Sequence, residues 1–127
     1  MVTSESFPRA LRLLHRAEFL KVQSQGRKVV VEPLLALALP NGRGVSRLGL
    51  TVSTKVGNAV ARARIRRHLR EVFRKRRALL PPGLDLVLIP RQGAADAGLE
   101  GLSRAFASIA ETLSRPRGES RSKERPR

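Results

Sequence analysis

A compact α+β domain is predicted by three features of the sequence. Leu84 to Ile89 is a nearly continuous apolar run bounded by Pro82-Gly83 and Pro90, as in a central strand covered on both faces. Arg47 to Ser53 alternates strictly, with Leu48, Leu50 and Val52 on one side. Between these runs lies a long amphipathic segment of helical period, from Asn58 to about Leu80. With 127 residues and 14.0 kDa there is room for one core and not for two domains of ordinary size. Residues 1–114 are therefore assigned to a single domain. Residues 115–127, RPRGESRSKERPR, form a basic tail with no apolar residue beyond proline, which is expected to stay disordered.

In chain order, the first expected element is a short helix over residues 16–25, carrying Phe19, Leu20 and Val22 and stopped at Gly26 as a C′ glycine. Val29 to Leu39 is rich in Val and Leu and ends in the turn signal Pro40-Asn41-Gly42, which predicts a strand bent or broken at Pro33, at an edge or a bulge. Arg47 to Ser53 is the half-covered strand, with Arg47, Gly49, Thr51 and Ser53 on a free side. Asn58, following Gly57, is the expected N-cap of the long helix, which Pro81-Pro82 terminates. After the Leu84–Ile89 strand, Leu102, Phe106, Ile109 and Leu113 recur at helical spacing from Leu99 onward, giving a last helix that ends before Pro116.

Charge narrows the partner. Lys and Arg number 26 against 10 acidic residues, a net charge of +16, which points to a polyanion. No apolar run approaches the roughly 18 to 20 residues of a membrane span, and Pro8 and the early arginines break any signal-peptide pattern. Nucleic acid in the cytoplasm is the expectation. Nine of the basic residues fall between 62 and 77, opposed only by Glu71. On a helix, Ala61, Ile65, Leu69, Val72, Phe73, Leu79 and Leu80 share one sector; Arg64, Arg66, Arg67, Arg70, Arg74, Lys75 and Arg77 fill the rest, and Arg62 and Arg76 lean toward the apolar side. Like charges at i, i+3 and i+4 repel by a few tenths of a kcal/mol per pair, a penalty that phosphate contacts reverse through counterion release.

Protein-based hydrolysis finds no support. There is no Cys, His15 and His68 stand alone, and Glu18, Glu32, Asp85 and Asp96 never form a paired motif. Aromatics are confined to Phe7, Phe19, Phe73 and Phe106, few for base stacking.

The run Thr54 to Arg74, TKVGNAVARARIRRHLREVFR, resembles the signature of the bacterial ribonuclease P protein family, approximately Lys-x-x-Gly-x-Ala-Val-x-Arg-Asn-Arg-x-[Lys/Arg]-Arg-x-x-Arg. Lys55 matches the second of the family's paired lysines, Thr54 replaces the first, and Ala63 stands where the family has Asn between two arginines. The resemblance covers roughly residues 7 to 114, through Phe7-Pro8, Arg12-Leu13, Glu18-Phe19-Leu20-Lys21-Val22 with Gly26, and Arg47-Leu48-Gly49-Leu50-Thr51-Val52-Ser53. It implies a two-layer α+β sandwich of a mixed sheet with three helices, like the second domain of ribosomal protein S5. It also implies a subunit of an endonuclease that removes the 5′ leader of precursor tRNA, with one protein per catalytic RNA and with Mg2+ held mainly by that RNA. No catalytic or metal-ligating side chain is implied on the protein, and no membrane. Two surfaces follow from the resemblance. Lys55, Asn58, Arg62, Arg64, Arg66, Arg67, Arg70 and Arg74 would dock the catalytic RNA. A cleft beside the first helix, with Phe19, Lys21, Gln23, Leu34 and Leu37, would hold the leader; Gln23, Leu34 and Leu37 stand at the family's other aromatic positions. A ribosomal protein or RNA chaperone would share the charge and the small core but lack the Gly57-to-Arg70 signature. A DNA-architectural protein would need a dimer surface or an arm, for which only the tail could serve.

Overall fold

The computed structural model describes residues 12–13 and 15–115; Phe7-Pro8 and all of the tail beyond Arg115 lie outside the described residues. The elements are α1 (Arg16–Gln25), β1 (Arg27–Val31), β2 (Leu34–Pro40), β3 (Arg47–Leu50), α2 (Ala59–Arg76), β4 (Leu84–Pro90) and α3 (Ala94–Leu113). The strands form one mixed sheet in the order β1-β2-β4-β3. β2 is antiparallel to β1 and to β4, and β3 is parallel to β4, so α2 is the crossover between parallel neighbours. The α+β class with a mixed sheet and three helices is as expected.

The apolar run at β4 lies between β2 and β3 and is buried almost throughout. Its even positions, Leu86 and Leu88, join Leu34, Ala36 and Ala38 of β2 and Leu48 of β3 under α2 and α3. α2 contributes Ile65, Leu69, Val72 and Phe73, and α3 contributes Leu102, Phe106 and Ile109. Phe73 and Phe106 meet edge to face with centroids 6.3 Å apart, the arrangement that ring quadrupoles favour. A smaller apolar group on the opposite sheet face, Leu13, Val22, Leu37 and Val87 with Phe19 against it, seats α1.

Three expectations are corrected and one is narrowed. Of the bend or break expected at Pro33, the strand is broken: Glu32-Pro33, joined by a cis peptide, is the turn of a hairpin, and Val31 pairs with Leu34. Proline has no N–H to give to a ladder, and here it escapes that demand by occupying the turn. Gly26 does end α1, but with φ −76°, not in the left-handed region; a Cβ there would come within 2.5 Å of the Val22 carbonyl oxygen, so close approach demands the glycine. Leu79 is about half exposed while Leu80 is buried; the α-helix gives way at Arg77 to a 3-10 turn, so a wheel drawn at 100° per residue does not extend to these positions. The last helix begins at Ala94, five residues before Leu99, with a break at Gly98, φ 68°, which hides the first turn from a periodicity search.

Candidate RNA-binding surfaces

The first surface is α2. Asn58 caps it, its Oδ1 accepting from the Ala61 N–H at 2.9 Å, and Gly57 precedes it at φ 149° with no room for a Cβ beside Ala61. With the apolar sector turned onto the sheet, Arg64, Arg67 and Arg70 are exposed and Arg66 is half-buried. None of Arg62, Arg64, Arg66, Arg67 and Arg70 forms an ion pair among the described residues. Burial, with Arg12 and Arg66 nearby, lowers the Arg70 pKa. His68 is likewise held below the usual imidazole range, by burial first and then by Arg67 and Arg64. Burial is the first cause of both shifts, and neighbouring arginine charge adds to it in each. The Arg62 Nε is buried without a partner among the described residues.

The lower end of the helix is different. Arg74 and Lys75 both reach Glu71, at 3.0 and 3.1 Å, and Arg76 donates to the Ser103 hydroxyl of α3 at 2.7 Å. Arg76 thus leans over α3. The uncompensated charge is concentrated in the first three turns, with Lys55 exposed just before them.

The second surface is the sheet face under α1. Strand pairing places Lys28, Leu37, Val87 and Gly49 in one row and Val30, Leu35 and Ile89 in the next. α1 covers Leu37, Val87 and Gly49 of the first row and leaves Lys28 exposed. Its Phe19 ring lies against Gly49, where an added Cβ would fall 2.7 Å from the ring, so glycine is what lets the aromatic approach the strand this closely. The second row is open: Val30 is 44% exposed, and Leu35 and Ile89 are half-buried. Beyond it an open hollow is lined by Glu32, Ser53, Lys55, Pro90, Arg91 and Gln92. This places Lys55 at the junction of the two surfaces.

The cleft residues named from sequence are thus divided. Phe19 is half-buried at the edge of α1; Lys21 and Gln23 are exposed on the same helix. Leu37 lies on this face but is almost covered, at 8%. Leu34 is a correction: it is fully buried in the main core on the opposite face. Side chains alternate along a strand, so residues 34 and 37, three apart, cannot share a face; Leu35, paired with Val30 and Ile89, lies on the α1 face. The side of β3 bearing Arg47 and Gly49 is likewise not free, since Phe19 covers Gly49 and Arg47 is tied to Asp85 and Glu18. Sequence reading missed Lys28, Val30, Arg91 and Gln92; the first two were recoverable once Glu32-Pro33 was read as a hairpin turn.

No group of three His, Asp or Glu able to hold a metal ion exists among the described residues. The best-placed carboxylates are already engaged, Asp85 by Arg47 and Asn41 and Glu71 by Arg74 and Lys75. No helix is long and apolar enough to cross a membrane among them.

Comparison with known proteins agrees with this architecture. The family model described as ribonuclease P matches residues 7–114. The ribonuclease P protein component of Gluconacetobacter diazotrophicus is 49% identical over 111 residues, 84% of this chain and 88% of that protein. That of Citrifermentans bemidjiense is 42% identical over 107 residues, 84% and 91%. Among solved structures, the RNase P protein of Thermotoga maritima superposes with a TM-score of 0.72 at 30% identity, covering 79% of this chain and 94% of the other. The Staphylococcus aureus RNase P protein gives 0.73 at 27%, covering 84% and 97%. The chain belongs to the ribonuclease P protein family.

Proposed function

We propose that this protein binds a catalytic RNA through the first three turns of α2 and the 5′ leader of precursor tRNA along the groove beside α1, assisting endonucleolytic removal of the leader. The observation that carries the reading is the run Arg62, Arg64, Arg66, Arg67 and Arg70, which has no acidic partner among the described residues. Such a face costs folding energy in isolation and returns it on phosphate. Lys55 and Asn58 extend it toward the groove. Arg74, held by Glu71, contributes less.

In the groove, Phe19 offers a stacking edge, and Val30, Leu35 and Ile89 offer an apolar floor between Lys28 and the Lys55–Arg91 end. One aromatic and a leucine-lined floor give less stacking than a set of aromatics, since each base stacked on an aromatic is worth about 1–3 kcal/mol. The leader is therefore held more by backbone charge and by shape than by base identity. Lys21 and Gln23 are peripheral contacts.

The protein supplies no general acid, base or nucleophile. Phosphodiester hydrolysis belongs to the catalytic RNA and to Mg2+ held by it, and the protein neutralises charge and adds leader affinity, one copy per RNA in the cytoplasm. The test is cleavage of precursor tRNA by a bacterial ribonuclease P RNA at low Mg2+, with and without this protein. Stimulation is expected. Binding to bulk RNA without stimulation would refute the assignment.

A further inference from the structure

α1 is weakly attached by apolar contact. Of RAEFLKVQSQ only Val22 is buried; Leu20 is 48% exposed, and Phe19 lies at the rim. A ten-residue helix does not hold itself together in water. What fixes its first turn is polar. Glu18 accepts with Oε1 from the His15 N–H at 3.3 Å and with Oε2 from Arg47 Nη1 at 3.2 Å. The Arg47 Nε and Nη2 donate to the two oxygens of Asp85, at 2.8 and 2.7 Å, and Asn41 Nδ2 donates to Asp85 at 2.8 Å. Asp85 is anchored in the central strand β4. Its fork-to-fork pair with Arg47 is the strong, geometrically defined kind, and the Arg47 side chain is only 12% exposed.

We infer that Arg47 is a positioning residue for leader binding: a strut from Asp85 in the sheet to Glu18 in α1 that sets the helix, and with it Phe19, over the groove. All its described bonds point inward, so it acts on the ligand through α1. This rests on the leader-groove reading given above.

Replacing Arg47 itself would leave the buried Asp85 carboxylate without its ion-pair partner and with only the Asn41 hydrogen bond, so the strut is better cut at Glu18. Glu18→Ala removes both the helix link and the cap; Glu18→Gln keeps an acceptor for Arg47 and a residue competent to close the capping box. In the reconstituted holoenzyme, Glu18→Ala is expected to weaken affinity for leader-bearing precursor tRNA about tenfold, the order of one base stack. Affinity for leaderless tRNA should hold, and Glu18→Gln should recover most of the deficit. In the free protein, amide hydrogen exchange should rise in residues 16–25 and not in β2 or β4. Phe19→Ala, run alongside, serves as the reference for the groove. If it costs leader affinity while Glu18→Ala does not, or if Glu18→Ala weakens both substrates equally, the strut is refuted and the groove stands. If Phe19→Ala shows no leader-specific effect, the groove reading falls and the proposal falls with it.

Discussion

At the scale of single residues, the most constrained contact is Gly49 beneath Phe19. Gly49→Ala places a methyl group 2.7 Å from the ring, so Phe19 must swing out or the strand must shift. Overpacking of this kind costs about 1–3 kcal/mol. We predict a lowered melting temperature together with weaker leader-specific affinity, because the displaced ring is the groove's only described aromatic. Asp85 makes a second residue-level prediction. Burial raises its carboxyl pKa, but hydrogen bonds from Arg47 and Asn41 and the nearby positive charge outweigh burial and hold it below the usual carboxylate range. A carboxyl whose folded pKa is depressed stabilises the protein fully above its unfolded value, about 3.9, and loses that contribution as pH falls through the folded value. Thermal melts are expected to show stability falling below about pH 4, with a shallower fall in Asp85→Asn. An unchanged acid limb in that variant would show that the pair contributes little.

At the scale of elements, α2 is the most legible part of the sequence. Its cap, its apolar sector and its arginine face all follow from a period of 3.6, and the structure reproduces them up to Arg76. The pairing of Arg74 and Lys75 with Glu71 sets the lower end of that face apart, and its i+3 and i+4 spacing is visible in the sequence. Replacing Arg62, Arg64 and Arg67 together with Ala should weaken binding to the catalytic RNA. It should also lower the slope of log affinity against log salt by about 2 to 3, near 0.7–0.9 for each phosphate no longer neutralised. Lys75→Ala should leave that slope almost unchanged. A triple variant with the wild-type slope would mean that these guanidinium groups do not meet phosphates. The β1–β2 hairpin is the least legible element, because apolar residues continue on both sides of Pro33 and only the pairing of Val31 with Leu34 distinguishes a turn from a bend. The family resemblance puts both Leu34 and Leu37 in the groove, and strand alternation forbids two residues three apart from sharing that face.

At the scale of the whole molecule, the fold separates the two proposed RNA surfaces by topology. The β3-α2-β4 crossover puts the arginine face on one side of the sheet, while α1 and the edge strand β1 shape the groove on the other, and the two meet where Lys55 and Arg91 flank one hollow. Composition announced a nucleic-acid partner, and the signature from Gly57 to Arg70 suggested which family. Neither could reveal the groove floor, which is assembled from three strands, β1, β2 and β4, and depends on register. The central claim is this division between two RNAs, and the absence of cysteine makes it directly measurable. A single cysteine placed at Val60, 68% exposed on the arginine side of α2, or at Gln23 on α1, can carry a photo-crosslinker in the assembled holoenzyme with precursor tRNA. Val60→Cys is expected to link to the catalytic RNA and Gln23→Cys to the 5′ leader; both positions linking to the same RNA would contradict the division.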